Sequence, residues 1–379
     1  MTDAPPPMAF IDLAAQRRRL GDRIDAAIAR VLEHGQFIMG PEVAALEEQL
    51  GGFGRARHVL ACANGTEALA LPVMAWGIGP GDAVFCPSFS FAATAEVVPW
   101  LGATPVFVDV LPDTYCLDAA HLEQAIAGVT AQGRLTPRAV IAVDLFCQPA
   151  NYPAIAEVTR RHGLKLIADS AQGFGCTLHG RHPLSWADVA TTSFFPAKPL
   201  GAYGDGGAVL TDDDELIWIL RSLRNHGAGT DKYDNVRIGM NCRLDTLQAA
   251  ILLEKLAVFP DEIVARDRIA DRYRGLLAGL VSTPSVIAGG TSTWAQYTIE
   301  TDNRDGLADH LKQRGVPTAA YYPKPIHRQT AYQGYPVGGN GLLVTDDKAK
   351  RVLSLPMHSD LDEATQDRVV EAVASFFRA

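Results

Sequence analysis

The chain has 379 residues, of which 47% are hydrophobic and 20% charged, a composition typical of globular proteins and unlike that of disordered ones. Its 34 Lys and Arg against 43 Asp and Glu give a formal net charge of −9, which argues against nucleic-acid binding and a polybasic membrane contact. The N-terminus MTDAPPPMAF lacks a signal-peptide pattern, and Glu96, Pro99 and Pro105 interrupt the longest apolar stretch. We therefore expect a soluble, cytoplasmic protein.

The six cysteines are scattered singly, mostly within apolar runs such as HVLACA and AVFCP. This spacing favours buried, reduced thiols over a disulfide framework. The sequence contains no HExxH motif and no other compact set of metal-ligand spacings. We expect no bound metal.

From about residue 55 onward, short β-branched runs alternate with helical patterns. The runs predict strands at 58–62, 83–86, 104–110, 139–145, 164–169, 189–194 and 207–211. The intervening patterns predict helices at 66–76, 91–101, 118–127, 153–162 and 212–223, with a kink at Pro72. Such alternation is typical of an α/β fold whose mostly parallel sheet is covered on both faces, with ligands at the carboxyl ends of the strands.

After Asn241 the pattern changes. Residues 243–280 read as two helical segments meeting at Pro260, followed by a strand-like TWAQYTIET and a helix at 304–314. An extended VPTAAYYP, a long Gly/Pro-rich loop and a C-terminal helix from Glu363 complete the chain. We predict a large domain over residues 1–255, with an N-terminal helical segment, and a smaller α+β domain over residues 256–379.

Three predicted strand ends carry residues that can do chemistry. Gly65 and Thr66, in CANGTEAL, place a glycine and a hydroxyl where a helix N-terminus can hold an anion, although an ordinary N-cap turn has the same pattern. Asp169 ends the apolar strand of LKLIADSAQ, where an acid is either a helix cap or part of a site. Ser193 and Lys198 follow another strand, and a lone loop lysine is most often only a solvated charge. Each of these signals is weak alone, but together they indicate a functional site, because parallel strand ends meet at one edge of the sheet.

A lysine amine, an acid and a phosphate cradle together suit pyridoxal phosphate (PLP). Lysine forms a Schiff base with the cofactor aldehyde, and the acid pairs with the pyridinium nitrogen, keeping the ring able to accept electrons. The helix N-terminus and the hydroxyls suit the phosphate. A partly desolvated pocket should lower the pKa of Lys198.

The motifs ANGTEAL, PSFSFAATAE, ADSAQ, TSFFPAKPLGAYGDGGA, MNCRLDTLQAAIL and YYPKPIH occur in this order along the chain. In this combination the chain resembles the DegT/DnrJ/EryC1/StrS family of nucleotide-sugar aminotransferases, from FIDLAAQ to LPMH. The resemblance implies a type I, aspartate-aminotransferase-like PLP-dependent fold, a homodimer, and a nucleotide-linked ketosugar and glutamate as substrates. Lysine in place of the histidine of the dehydrating branch implies transamination.

The resemblance also assigns the cofactor-ring contacts. Lys198 matches the Schiff-base lysine and Asp169 the partner of the pyridinium nitrogen. Gln172, in the DxxQ pattern, matches the glutamine near the ring hydroxyl, and Phe91 the aromatic residue that stacks on the ring.

Further positions match phosphate and substrate contacts. Gly65, Thr66 and Ser193 match phosphate ligands, and Asn241 matches a residue that reaches the phosphate from the neighbouring subunit. The resemblance therefore implies active sites at a subunit interface. His226 resembles a histidine near the substrate, although a plain loop histidine fits its sequence as well.

Among the family's branches, the chain most resembles the enzymes that aminate C3 of a UDP-linked 3-keto-N-acetylglucosaminuronic acid for bacterial surface polysaccharide. Tyr321 departs from that branch, which more usually has histidine there. A dTDP-3-keto-6-deoxyhexose C3 aminotransferase and a C4-directed enzyme remain alternatives. Arg243 is the candidate reader of the uronic acid carboxylate, with Tyr322 as a second donor, although Arg243 also suits a helix cap or a pair with Asp245.

Overall fold

The computed structural model describes residues 8–231 and 233–378, in which strands and helices alternate through most of the first two thirds of the chain. The strands are β1 (His58–Cys62), β2 (Asp82–Pro87), β3 (Thr104–Val108), β4 (Thr136–Val143), β5 (Lys165–Asp169), β6 (Val189–Ser193), β7 (Gly207–Thr211), β8 (Tyr297–Glu300) and β9 (Val352–Leu355). The helices are α1 (Leu13–Leu20), α2 (Asp22–His34), α3 (Pro41–Gly54), α4 (Gly65–Ala75), α5 (Ala93–Trp100), α6 (Ala119–Gln132), α7 (Tyr152–His162), α8 (Asp214–Arg224), α9 (Thr246–Leu256), α10 (Phe259–Leu277), α11 (Arg304–Gln313), α12 (Leu343–Arg351) and α13 (Glu363–Phe377).

The main sheet has seven strands in the order β1-β7-β6-β5-β4-β2-β3. Strands β2 to β6 pair in parallel, while β7 lies antiparallel between β1 and β6. Because β1 and β6 both run opposite to β7, their carboxyl ends lie at the same edge as that of β5. The mostly parallel sheet predicted from the sequence is confirmed.

Both faces of this sheet are buried, as the continuous apolar runs indicate. Alternate residues of one strand enter different clusters: Val84 packs among α4, α5 and α8, and Phe85 among α3, α6 and α7. Every predicted strand of the sheet is present, with ends that shift by a few residues. Helix α4 continues through Pro72 to Ala75, so this proline does not end the helix.

Another apolar cluster is formed by the second half of α10 with α11, α13, β8 and β9. The predicted break near Pro260 is present, because α9 ends at Leu256 and Pro260 lies in the first turn of α10. The prediction of a long loop before the C-terminal helix is incomplete, because part of this segment is regular secondary structure. It contains α12 and leads into β9, which pairs antiparallel with β8. Helix α10 contributes to both clusters, because Phe259 packs in the core of the main sheet and Ile269 in the second cluster. The domain division after residue 255 therefore stays a prediction.

All six cysteines are buried and free of disulfide bonds, as their spacing predicts. In the two ranges that the structure describes, no helix is both long and apolar enough to cross a bilayer.

Candidate active site

A pocket of about 420 Å³ opens at the carboxyl ends of β1, β5 and β6. Most of the residues predicted to form a site line it: Gly65, Thr66, Phe91, Asp169, Gln172, Ser193, Lys198 and Tyr322. The strand order explains the convergence, because β5 and β6 are neighbours and β1 is separated from β6 only by β7.

The first turn of α4 is the part of the pocket whose geometry suits an anion. The Asn64 side chain caps the helix by accepting a hydrogen bond from the Glu67 N–H at 2.8 Å. The N–H groups of Gly65 and Thr66 lie in that first turn and have no acceptor within the helix, so they can donate to an anion. Gly65 is required here, because a Cβ on it would lie 2.5 Å from the Cβ of Ser193. The close approach brings the Ser193 hydroxyl beside the helix N-terminus.

Asp169 is the buried acid of the pocket, with an exposed fraction of 4%. Its Oδ2 accepts a hydrogen bond from Thr94 Oγ1 at 2.9 Å, and its Oδ1 accepts one from the Ala171 N–H at 3.2 Å. Burial raises the pKa of Asp169, whereas these two hydrogen bonds and the nearby Lys198 amine lower it. Thr94 was missed by the sequence reasoning, although it lies within the PSFSFAATAE motif, three residues after Phe91.

Lys198 lies on the loop between β6 and β7, on the wall shared with Asp169. Burial lowers the pKa of the Lys198 amine, and the nearby carboxylate of Asp169 acts to raise it. The predicted lowering is confirmed in direction. A lysine of lowered pKa has a larger fraction of the neutral amine, which is the nucleophilic form.

Gln172 and the aromatic side chains form another side of the pocket. Gln172 Oε1 accepts a hydrogen bond from the Phe146 N–H at 3.1 Å, and its Nε2 donates to Tyr322 Oη at 2.9 Å. The ring centroids of Phe91 and Tyr322 are 6.2 Å apart. Phe91 is 54% exposed, so much of its ring remains available for contact with a ligand.

The remaining predicted residues, His226, Asn241 and Arg243, lie together on the surface and do not line this pocket of their own chain. Arg243 Nε donates to Asn241 Oδ1 at 3.1 Å. Asn225 links the group, because its side chain accepts from Arg243 Nη1 at 3.5 Å and its backbone bridges to Asn241. The helix-cap alternative for Arg243 is not what the structure shows, since Asp245 is the residue at the start of α9.

The structure also adds residues to the pocket. Asp205 comes from the glycine-rich turn before β7, and Gln296 from the segment before β8. Tyr321 lies beside Tyr322 on the same wall, with ring centroids 5.7 Å apart. Asp205 follows Lys198 within the motif TSFFPAKPLGAYGDGGA, which is a signal that could have identified it, whereas Gln296 is joined to the site only by the fold.

Residues 18–374 match the sequence model of the DegT/DnrJ/EryC1/StrS aminotransferase family. The chain belongs to this family. It is 47% identical to the UDP-2-acetamido-2-deoxy-3-oxo-D-glucuronate aminotransferase of Pseudomonas aeruginosa, over 94% of this chain and 96% of that protein.

Solved structures agree. A DegT DnrJ EryC1 StrS aminotransferase from Brucella abortus superposes with a TM-score of 0.96 and 53% identity, over 97% of this chain and 99% of that one. NtdA from Bacillus subtilis, solved with bound cofactor PMP, superposes with a TM-score of 0.86 and 29% identity, over 98% of this chain and 86% of that one. The predicted type I aminotransferase fold is confirmed, and this protein is a PLP-dependent sugar aminotransferase.

The residues of the pocket fit this cofactor. The absent side chain at Gly65 leaves the first turn of α4 open for a phosphate, with the Ser193 hydroxyl beside it. At the other end, the buried Asp169 carboxylate is suited to pair with a pyridinium nitrogen, and the Lys198 amine is suited to hold the aldehyde carbon.

Proposed function

We propose that this protein transfers an amino group from glutamate to C3 of UDP-2-acetamido-2-deoxy-3-oxo-glucuronate, as a homodimer. The observation that carries the chemistry is the meeting of Lys198, Asp169 and the N-terminus of α4 in one pocket. The choice of sugar is supported by the 47% identity with the Pseudomonas enzyme.

PLP, when bound, supplies an electron sink that stabilises negative charge at the carbon bearing the amino group. The protein's own residues hold and move protons around it. The hydrogen bonds from Thr94 and from the Ala171 N–H favour the ionised form of Asp169, and this carboxylate would hold a proton on the ring nitrogen of the bound cofactor. Burial lowers the pKa of Lys198, which favours the neutral amine, and this amine, when not bonded to the cofactor, would be the group that carries a proton between the substrate carbon and the cofactor.

The proposed dimer is supported by exposed apolar side chains on two segments. Phe37, Ile38 and Met39 precede α3 and are 41–49% exposed, while Val236 and Ile238 are 53% and 91% exposed in the loop that leads to Asn241. Large apolar side chains of this kind mark an interaction surface when they are contiguous. A second copy covering this loop would bring Asn241, Arg243 and His226 to the neighbouring pocket.

Arg243 is the proposed reader of the uronic acid carboxylate. Within residues 8–231 and 233–378, its guanidinium donates to the amide oxygens of Asn241 and Asn225, at 3.1 and 3.5 Å, and forms no salt bridge with an acid. A guanidinium fork can donate two parallel hydrogen bonds to a carboxylate, and Tyr322, a neutral phenol whose pKa is raised by burial, adds one donor.

The proposed setting is the bacterial cytoplasm, in the synthesis of surface polysaccharide such as the O-antigen of lipopolysaccharide. Six free thiols suit a reducing compartment. The substrates of such a pathway are nucleotide-linked sugars.

The first test is the glutamate half-reaction, followed by the visible spectrum. Purified protein should be yellow, should lose its colour with borohydride, and should form 2-oxoglutarate from glutamate. Lys198→Ala should abolish turnover, and full turnover in this variant would refute the assignment. A panel of UDP- and dTDP-linked ketosugars then tests the substrate, and a preference for a dTDP-6-deoxy sugar would refute the uronic acid proposal.

Arg243→Met tests the carboxylate contact. Loss of one charge-assisted hydrogen-bonding partner costs about 1.5–3 kcal/mol, or roughly a 10- to 150-fold higher KM for the uronic acid sugar. The glutamate half-reaction, the colour and the dimer should be unchanged. Arg237→Met is the matched control, because Arg237 lies on the same loop and donates to Ser222 Oγ. Equal losses on uronic and 6-deoxy sugars would contradict this role.

A further inference from the structure

A buried ion cluster contacts the backbone of the Lys198 loop, and its two α10 side chains, Arg266 and Glu262, are not among the residues that line the cofactor pocket. Arg266 and Glu262, one turn apart on α10, are 6% and 3% exposed and form a salt bridge at 3.1 Å. Glu262 also accepts hydrogen bonds from Gln16 and Arg19 of α1. The cluster therefore joins the N-terminal helix to α10 beneath the active-site loop.

The contact with the loop is made through its backbone. Arg266 Nη2 donates to the carbonyl oxygen of Pro199 at 3.3 Å, and Nη1 donates to the carbonyl of Thr293 at 3.0 Å. Pro199 follows Lys198 directly in the chain. Since proline has no N–H and its carbonyl is buried, this carbonyl is the group through which the backbone beside Lys198 is held from outside the loop.

The loop itself is tightly folded around the lysine. The Lys198 N–H donates to the Phe195 carbonyl at 2.8 Å, and the Ala202 N–H donates to the Phe194 carbonyl at 2.7 Å. A Cβ on Gly201 would lie 2.3 Å from the Pro196 oxygen, so the turn has no room for a side chain there. A displacement of the Pro199 carbonyl would therefore be transmitted to the backbone of Lys198.

We propose that Arg266 is a positioning residue, which aims the amine of Lys198 by holding the Pro199 carbonyl while Glu262 holds the guanidinium in place. In a transamination the lysine would be displaced from the cofactor in the glutamate half-reaction and would return to it in the sugar half-reaction, once in each full cycle. If the backbone is fixed, fewer conformations of the Lys198 side chain have to be sampled before the amine reaches the aldehyde carbon of the cofactor again. This inference rests on the proposed role of Lys198 and adds a function for α10, which contributes no side chain to the lining of the cofactor pocket.

The test measures attachment of the lysine separately from cofactor binding. Apo-protein is mixed with pyridoxal phosphate, and the rate at which borohydride-sensitive colour appears reports on the lysine. Affinity for pyridoxamine phosphate, which carries no aldehyde, reports on the non-covalent contacts of the phosphate and the ring without attachment of the lysine. Arg266→Met should slow attachment by roughly 10- to 100-fold, because misplacement of a reacting group by about 1 Å costs of that order. Affinity for pyridoxamine phosphate should change less than about twofold, since removal of even one hydrogen bond to the phosphate would weaken binding by more than that.

Lys348→Met is the matched control for loss of stability. Like Arg266, Lys348 is the cationic partner of a buried glutamate, with its amine 2.8 and 2.9 Å from the oxygens of Glu300. It should lower the thermal midpoint comparably and leave the attachment rate at the wild-type value. Arg268→Met, at an exposed position of the same helix, controls for loss of charge.

If Arg266→Met attaches the cofactor at the wild-type rate, or if Lys348→Met slows attachment as much, the positioning role is wrong. Should Arg266→Met fail to fold, Arg266→Lys replaces it in the test. Lysine keeps a positive charge beside Glu262 but lacks the planar guanidinium that donates to two carbonyl oxygens, so attachment of the cofactor should be slowed to the same extent. Failure of the wild-type protein to form borohydride-sensitive colour would instead refute the proposed role of Lys198.

Discussion

Replacing Gly65 with alanine should weaken cofactor binding through a steric effect at the start of α4. The added Cβ would lie 2.5 Å from the Cβ of Ser193 and 3.1 Å from its Cα, and ordinary contact begins at 3.4 Å. Because one of these atoms belongs to the backbone, a side-chain rotation cannot relieve the overlap. The first turn of α4 must move by about 1 Å relative to Ser193.

A shift of that size lengthens a hydrogen bond of about 2.9 Å beyond the range of good geometry. Breaking one charge-assisted hydrogen bond costs about 1.5–3 kcal/mol, so the absence of one such bond to the phosphate should weaken cofactor affinity roughly 10- to 150-fold. The overlap itself should lower the free energy of unfolding of the apo-protein by about 1–3 kcal/mol.

The assay is titration of apo-protein with pyridoxamine phosphate, together with urea unfolding of the apo-protein. Gly275→Ala is the matched control, since Gly275 lies within α10 and a Cβ there meets no atom within 4 Å. In a helix this control should gain about 0.5–1 kcal/mol of stability and leave affinity unchanged. Wild-type affinity in Gly65→Ala would refute the view that the first turn of α4 holds the phosphate.

Two further predictions concern the buried acids. Thr94→Val removes a hydrogen bond that lowers the pKa of Asp169, so the acidic limb of the pH–rate profile should move to higher pH. An unmoved limb would show that Thr94 does not lower the pKa of Asp169. Burial raises the pKa of Asp144 from 3.8 to about 7, against hydrogen bonds from Ser170 and Tyr152. The stability that this acid contributes is therefore present below its unfolded pKa and lost as pH rises through about 7. Asp144→Asn cannot ionise, so its free energy of unfolding should fall less than that of wild type between pH 4 and 8, and parallel curves would contradict the raised pKa.

The sequence by itself determined the main sheet and identified most of the polar residues that line the pocket at its edge. Its strands are continuous apolar runs because both faces are buried, and this signal is local in the chain. Asp169, Ser193 and Lys198 could be brought together without coordinates, since parallel strand ends meet at one edge. The break near Pro260 was also readable, because proline favours the first turn of a helix and disfavours its interior.

Tertiary structure alone decided the contacts between segments distant in the chain. Strand β9 is only four residues long, and its pairing with β8 depends on residues about fifty positions away. No local pattern could show that Arg266 reaches the Pro199 carbonyl, because the two are brought together by packing of α10 against the active-site loop. Burial sets the raised pKa of Asp144 and the lowered pKa of Lys198, and burial is a property of the folded molecule.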